Sequence, residues 1–250
     1  MTPTPAWPAG YGLRHFEVID STNEEARRLA VGGLAEPTWI AADRQTAGRG
    51  RRGRTWESPT GNLAATLLIA PGRPAAECAQ LSFVAALAGS DTAAHFAPDA
   101  DVKVKWPNDV LAQGRKIAGI LLESASTGAE KPQWLAIGIG MNLTEFPPYT
   151  EFPATALAAL GVAVPTPRDA LTKLAASWAE WYETWRVQGF EAIRDAWLAR
   201  AANLGGRIRA RLQNEETTGV FEGIDGTGAL ILRETASRTR TIAAGEVFFA

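Results

Sequence analysis

Apolar and polar positions along the chain predict a mixture of strands and helices. A helix start is indicated at 20–23, where Asp-Ser-Thr-Asn precedes an acidic first turn. Short apolar or alternating runs typical of strands occur at 38–42, 63–70, 102–105, 110–122 and 134–141. The run at 110–122 is interrupted by Gln113-Gly114, as in a hairpin. Helical spacing covers 75–95. Because strands and helices do not alternate as regular βαβ units, we predict an α+β fold with a mixed sheet.

The last third of the chain changes character twice. From Arg168 onward the spacing is helical, and one apolar face of core residues is predicted at Leu171, Leu174, Trp178, Trp181 and Trp185. A second helix is predicted at 190–202 and a break at 203–206. Four short strands are then predicted at 207–212, 218–224, 229–233 and 238–243. We therefore predict a main domain at 1–203, with a loose leader at 1–12, and a small β-barrel at 204–250.

Composition narrows the class of protein. The chain has 250 residues, 46% of them hydrophobic, which is enough for one large domain with a small one. A net charge of −2 excludes a polybasic protein held to nucleic acid by overall charge. The one cysteine, Cys78, cannot form an internal disulfide, and neither a signal peptide nor a membrane-spanning run is visible. We therefore expect a cytoplasmic protein without membrane contacts.

A basic loop at 44–54 contains five arginines, three glycines and no acidic residue. Glycine lets backbone N–H groups turn toward a ligand, and arginine matches the oxygens of phosphate or carboxylate. The loop therefore suits a phosphate-bearing or carboxylate ligand. A solvated basic loop, or an RNA-binding stretch rich in arginine and glycine, explains the same composition.

Two further segments carry candidate chemistry. In Lys105-Trp106-Pro107-Asn108-Asp109, an amide and a carboxylate follow a strand, and Asp109 could bind Mg²⁺ on a nucleotide. In 115–123, Lys116 stands at the start of a strand, where it could neutralise charge on a phosphoryl group, and Gly119 allows close backbone approach. The alternatives are an ordinary Asn-Asp turn and a solubilising lysine. The glycines at 138 and 140 lack the full spacing of a dinucleotide-binding motif.

Taken together, four segments closely resemble the biotin protein ligases. They are, in chain order, DSTN at 20–23, ADRQTAGRGRRGRTW at 42–56, VKWPNDVLAQGRKIAGILLE at 104–123 and IGIGMNL at 137–143. The resemblance implies a ligase fold like that of class II synthetases, with an SH3-like barrel at the C-terminus. It also implies ATP-dependent attachment of biotin, through biotinyl-5′-AMP, to a lysine of the biotin carboxyl carrier protein of an acyl-CoA carboxylase.

The same resemblance implies roles for individual residues. As biotin contacts it implies Ser21, Thr22, Asn23, Gln45, Gly48, Arg49, Arg51, Lys116 and Gly119. As ATP contacts it implies Arg49, Arg51, Arg52, Trp56, Asn108, Asp109, Lys116 and Asn142. Lys116, Arg51 and Asp109 are the implied catalytic residues, with Asp109 also a magnesium ligand and a candidate to assist the acceptor lysine.

Two other functions remain to be weighed against this one. A lipoate or octanoate ligase or transferase would share the scaffold, but the related lipoate ligases lack this combination of basic loop and KWPND segment. An RNA-binding module would explain the basic loop but not the segments at 104–123. Because the first motif begins at Asp20, we expect a ligase without an N-terminal DNA-binding domain, and neither repressor activity nor a nucleic-acid partner. A monomer or a weak homodimer is expected.

Overall fold

The computed structural model describes residues 5–125 and 131–249, which fold around two β-sheets. The strands of the larger sheet are β1 (Gly12–Ile19), β2 (Thr38–Gln45), β3 (Leu63–Ile69), β4 (Val102–Lys105), β5 (Asp109–Ala112), β6 (Arg115–Ser124) and β7 (Leu135–Met141). The helices are α1 (Thr22–Val31), α2 (Ala75–Ala79), α3 (Leu81–Phe96), α4 (Pro167–Gln188) and α5 (Phe190–Leu198). The smaller sheet contains β8 (Arg207–Arg211), β9 (Glu216–Ile224), β10 (Leu230–Thr235), β11 (Arg238–Ile242) and β12 (Glu246–Phe249).

The larger sheet is mixed, as the sequence predicts. Its strand order is β1-β2-β3-β7-β6-β5-β4. Strands β1 and β2 are parallel, and every other neighbouring pair is antiparallel. Gln113 and Gly114 form the predicted turn between β5 and β6, and both have positive φ. This order places β3, β7 and β6 side by side in the middle of the sheet, where their ends contribute to the cavity described below.

Helices cover both faces of the sheet, so its central strands are buried on both sides. In β2, Trp39 packs into the large core on the side of α3 and α4, while Ile40 packs with Ala26 of α1 on the other side. This alternation follows from the two-residue period of a strand. The predicted apolar face of α4 is confirmed: Leu171, Leu174, Trp178 and Trp185 are buried and Trp181 packs against the same core.

The C-terminal part is a five-stranded antiparallel sheet in the order β11-β10-β9-β8-β12. Its buried side chains, among them Phe221 and Leu232, belong to the same apolar cluster as the core of the larger sheet. The Trp197 ring of α5 lies 6.5 Å from that of Phe221, and Trp106 donates a hydrogen bond to the carbonyl of Gly228. The two sheets are therefore joined by shared apolar contacts.

Several predicted boundaries were wrong. The predicted leader overlaps the start of β1, an edge strand whose mostly exposed side chains give little apolar signal. The helix predicted at 75–95 is two helices that meet at Gln80, and the helix predicted at 190–202 ends at Leu198. Strand β12, which the apolar pattern did not indicate, pairs with β8. Among the described residues, none of the helices is both long enough and apolar enough to cross a bilayer.

Candidate functional site

A cavity of about 420 Å³ brings together most of the residues singled out in the sequence. It is bounded by the start of α1, the end of β2, the basic loop, strands β5 to β7 and strand β12. Its lining includes Ser21, Thr22, Asn23, Gln45, Arg49, Arg51, Trp56, Asn108, Asp109, Lys116, Gly119 and Asn142. Residues from four separated motifs therefore share one site, although some are about 120 residues apart in the chain.

One end of the cavity, here called the uncharged end, is lined by neutral polar side chains that hydrogen bonds hold in place, and Asn23 Nδ2 also donates to the Glu123 carboxylate at 2.7 Å. The backbone N–H of Thr22 donates to Gln45 Oε1 at 2.8 Å, and Gln45 Nε2 donates to Ser58 Oγ at 2.8 Å. The hydroxyl of Thr66 lies 2.8 Å from Thr22 Oγ1 and 2.6 Å from Asn23 Oδ1. Because these partners lock the rotamers of Thr22, Asn23 and Gln45, this end is a preorganised site for a neutral, hydrogen-bonding ligand group.

Glycines in β6 and β7 make room on the sheet for larger side chains. A Cβ atom on Gly140 would lie 2.3 Å from the Trp56 ring, and one on Gly138 would lie 2.2 Å from Asn23 Oδ1. A Cβ atom on Gly119 would lie 3.1 Å from both the Trp56 ring and the Lys116 side chain. The Trp56 ring thus rests directly on the strands, as an aromatic wall between the two ends of the cavity.

The basic loop is folded back on itself in the described structure. Arg49 pairs with Thr55 in an isolated antiparallel bridge, and the N–H of Trp56 donates to the carbonyl of Gly48 at 2.9 Å. A Cβ atom on Gly48 would lie 2.4 Å from the Trp56 carbonyl oxygen, so this close approach requires glycine. At the tip, Arg52 has a φ of 56°. The loop therefore places its arginines in different directions.

Three arginines of the basic loop line the cavity: Arg49, Arg54 and, in contact with Asn108, Arg51. The Arg51 guanidinium donates to Asn108 Oδ1 at 3.2 Å and to the Gly245 carbonyl at 3.4 Å. Burial, with the neighbouring charge of Arg52 adding to it, lowers the pKa of Arg51. Arg49 instead pairs with Glu24 and Glu123 at the rim.

Two of the predicted contacts do not line the cavity: Gly48, which acts through the loop backbone, and Arg52. The Arg52 guanidinium faces Glu246 of the C-terminal sheet at 3.6 Å. Arg52 also lines a second, open cleft beside Arg240. Arg52 as an ATP contact stays a prediction, since its side chain faces Glu246 and does not line the cavity.

The other end of the cavity is charged and centred on Asp109. Lys116 Nζ lies 2.6 Å from Asp109 Oδ1, and Lys105 Nζ lies 3.3 Å from Asp109 Oδ2. Lys105 and Asp109 are buried, and Lys105 also lies 4.4 Å from the centre of the Phe152 ring. Two ammonium groups around one carboxylate leave a net positive charge, which favours an anionic ligand.

These contacts shift the pKa values of the Asp109 carboxyl and the Lys105 ammonium group. Burial alone would raise the pKa of the Asp109 carboxyl, but the charges of Lys116 and Lys105 together outweigh burial and hold that pKa below its usual value. Burial lowers the pKa of Lys105, and Asp109 only partly offsets this effect. Asp109 is therefore an ionised partner for two lysines, and a carboxylate with a lowered pKa is a poor general base. The prediction that Asp109 assists the acceptor lysine is not supported by this geometry.

Magnesium does not fit Asp109 in this arrangement. Each of its carboxylate oxygens contacts an ammonium group. In the described ranges, 5–125 and 131–249, no group of three or more His, Cys, Asp or Glu side chains could hold a metal ion. A magnesium ion that accompanies a nucleotide takes most of its ligands from phosphate and water. The structure therefore offers no support for the predicted magnesium ligand.

Asn142 and Asn108 each donate a hydrogen bond to a backbone carbonyl beside the cavity. Asn142 is buried and donates from Nδ2 to the carbonyl of Thr155 at 3.0 Å. Asn108 donates to the carbonyl of Ile120 at 2.5 Å while accepting from Arg51. Both side chains still border the cavity.

Some residues of the site were missed in the sequence. Residues 144–153, here called the rim loop, supply Pro147, Tyr149, Thr150, Glu151 and Phe152 to the cavity wall. Tyr149 is 96% exposed there. Glu246 and Phe248 reach the cavity from β12, and Lys105 lines its charged end. Lys105 stands inside a motif that the sequence had marked, whereas the rim loop and β12 carry no chemical signature of their own.

Two family models and several known proteins match this chain. Residues 15–142 match the biotin/lipoate A/B protein ligase family, and residues 204–250 match the biotin protein ligase C-terminal domain. The chain is 49% identical to a biotin–[acetyl-CoA-carboxylase] ligase of Paracoccus denitrificans, over 92% of this chain and 97% of that protein. It is 34% identical to a ligase of the same name from Mycobacterium tuberculosis, over 96% of this chain and 90% of that protein.

A solved structure has a similar fold. The biotin protein ligase of Aquifex aeolicus, in complex with biotin and ATP, superposes with a TM-score of 0.81 at 28% sequence identity. The match covers 96% of this chain and 98% of that one, so both sheets are included.

Proposed function

The chain belongs to the biotin/lipoate A/B protein ligase family, and on that premise we propose that it is a biotin–protein ligase. It uses ATP to attach biotin to a lysine of a biotin carboxyl carrier protein, and it releases AMP and pyrophosphate. One observation carries the proposal. A single cavity joins an uncharged, hydrogen-bonding end to a positively charged end, which is what a substrate with a neutral ring system and a carboxylate requires.

Biotin is proposed to lie with its ureido ring at the uncharged end, beside Ser21, Thr22, Asn23 and Gln45. The ring is neutral and rich in hydrogen-bonding groups, so the locked amide and hydroxyl groups suit it without a desolvated charge. The apolar tail then runs past the Trp56 ring, which covers Gly119 and Gly140, toward Lys116. This direction brings the carboxylate to the ammonium group that borders the charged end.

The first half-reaction joins two anions. A carboxylate oxygen of biotin attacks the α-phosphorus of ATP, an acyl–phosphate bond forms, and the bond to the leaving pyrophosphate breaks. Lys116 and Arg51 are proposed to neutralise charge on the carboxylate and the phosphate, since positioned cations are the main catalytic contribution in such steps. Asp109 and Lys105 are proposed to hold the Lys116 ammonium in place.

In the second half-reaction the neutral amine of the acceptor lysine attacks the acyl carbon. An amide bond forms, the bond to AMP breaks, and the amine loses a proton. The anhydride must be protected from water between the two steps. The folded basic loop and the Trp56 ring are proposed to provide this protection, with Trp56 and Asn142 toward the adenine.

The domain boundaries, the cellular location and the oligomeric state are proposed mainly from the sequence. We propose that residues 1–203 form the catalytic domain and residues 204–250 a small domain that contributes Glu246 and Phe248 to the site. Cytoplasmic location, and a monomeric or weakly dimeric state, are proposed from composition and the free edge of β1.

Transfer of labelled substrate separates this function from the lipoate alternative. The purified protein, ATP, magnesium and an apo carrier domain are incubated with labelled biotin or with labelled lipoate. Labelling of the carrier lysine by biotin, and not by lipoate, is the expected outcome. Labelling by lipoate alone would replace the proposed function with the alternative.

A further inference from the structure

The rim loop is attached to the rest of the protein mainly at its two ends. Near the far end, Phe152 lies under the ammonium group of Lys105 and packs edge-on against Phe249, and Glu151 pairs with Arg211 of β8. The middle of the loop is exposed, and Tyr149 has almost no cover. The position of the loop over the charged end of the cavity therefore depends on how firmly its ends are fixed.

Asn62 fixes the first end. Its side-chain oxygen accepts the backbone N–H groups of Leu143 and Thr144, each at 2.9 Å, and that of Glu145 at 3.2 Å. Its amide nitrogen donates to the carbonyl of Glu145 at 2.8 Å. Asn62 is only 4% exposed. One buried side chain thus satisfies a run of consecutive backbone groups at the point where the chain leaves β7, and its loss would leave them unpaired.

The far end of the loop is fixed to the backbone of Lys116. The N–H of Lys116 donates to the Pro153 carbonyl at 2.8 Å, and the N–H of Thr155 donates to the Lys116 carbonyl at 2.9 Å. Asn142 adds the hydrogen bond to Thr155 described above. The rim loop therefore connects Asn62 directly to the strand residue that carries the reactive ammonium group.

We propose that Asn62 is a positioning residue for the nucleotide half of the site. By holding the start of the rim loop, it sets the wall that encloses ATP and the adenylate beside Lys105 and Lys116. It has no direct hydrogen bond to Thr22, Asn23 or Gln45, so its loss is expected to affect the uncharged end less than the nucleotide half. This inference rests on the proposed function for the identity of the ligands.

The variant Asn62→Ala tests the proposal through the binding of ATP, the binding of biotin and the proteolysis of the rim loop. The KM for ATP in biotin-dependent pyrophosphate exchange is expected to rise about tenfold, while the Kd for biotin changes by less than about twofold. Chymotryptic cleavage after Tyr149 is expected to accelerate, because the loop has lost its anchor. Asn62→Asp keeps the acceptor oxygen but sets its second oxygen against the Glu145 carbonyl, so it is expected to restore only part of the affinity for ATP.

Thr92→Ala is the matched control. It removes a buried hydrogen bond of 2.7 Å within α3, away from the cavity, and is expected to leave both ligand affinities and the cleavage rate unchanged. An unchanged KM for ATP in Asn62→Ala, or an equal loss for ATP and biotin, would overturn the proposal. If that variant does not fold, Asn62→Ser replaces it under the same criteria. Absence of exchange in the wild type would refute the ligase function, whereas the cleavage assay would still test the anchor.

Discussion

At the scale of single residues, the charged end of the site depends on one carboxylate, Asp109, that pairs with two lysines, of which Lys105 is buried and Lys116 partly exposed. Asp109 is fixed between Lys105 and Lys116, and the pKa of its carboxyl is held below its usual value. The sequence marked Asp109 and Lys116 as candidate site residues, but it did not predict that the carboxylate pairs with two lysines. It could not predict that Lys105 is buried, because a strand of alternating lysine and valine also describes a half-exposed edge.

Asp109→Asn is expected to destabilise the protein by about 3 kcal/mol at pH 7, because the ammonium of Lys105 stays buried without a counter-charge. How the stability contributed by Asp109 changes with pH follows from the lowered pKa of its carboxyl group. Its ionised form contributes stability above the unfolded-state pKa, and this contribution is lost as the pH falls through the folded-state pKa. Urea unfolding of both proteins at several pH values measures the difference. A gap that widens in acid would contradict the assignment of charge.

Lys116→Ala is expected to reduce biotin-dependent pyrophosphate exchange by roughly 10²–10³-fold while weakening biotin binding far less, because the ammonium acts on charge that develops at the phosphate. Steady-state exchange and calorimetry with biotin measure the two effects. Lys103→Ala is the matched control, since Lys103 lies on β4 of the same sheet, pairs with Asp101 and is 41% exposed at its side chain. Equal exchange by Lys116→Ala and wild type would remove Lys116 from the reaction.

At the scale of elements, glycines in adjacent strands shape the cavity. Gly119 and Gly140 are directly paired across β6 and β7, and together they form a flat surface on which Trp56 lies. The sequence showed a strand punctuated by glycine, but only the register between the two strands shows that the glycines stand opposite each other. Most strands and helices could be predicted from apolar period. Strands β1 and β12 could not, because β1 has mostly exposed side chains and β12 is a four-residue strand without apolar and polar alternation.

Gly140→Ala is expected to lower kcat/KM for ATP by about tenfold, since the new methyl group would occupy the space of the Trp56 ring and displace it. Pyrophosphate exchange at varied ATP gives the value, and thermal unfolding shows whether the fold is kept. Gly226→Ala provides the comparison, because a Cβ atom there meets no atom within 4 Å. Similar kinetics for the two variants would show that the position of Trp56 does not matter.

At the scale of the whole molecule, the basic loop is held by the C-terminal sheet. Glu246 of β12 is 13% exposed at its side chain, pairs with Arg54, and lies 3.6 Å from Arg52 and 3.9 Å from Arg211. Arg51 adds its contact with the carbonyl of Gly245. Neither contact could be predicted from the sequence, because the loop and β12 are about 190 residues apart and β12 carries no motif.

Glu246→Gln is expected to speed tryptic cleavage within residues 49–54 several-fold, because the neutral amide no longer balances the loop arginines. Mass spectrometry of timed digests locates the cut. Glu234→Gln serves as the control, since Glu234 is about as buried and pairs with arginines of its own sheet. If both variants were cut in the loop at the wild-type rate, Glu246 would have no part in holding it.

The most direct test of the whole account is the position of biotinyl-5′-AMP in a crystal of this protein. The account predicts that the ureido ring contacts Thr22 and Gln45, and that the bridging phosphate lies within hydrogen-bonding distance of Lys116 and Arg51. An adenylate bound in the opposite direction, or outside the cavity between these residues, would contradict it.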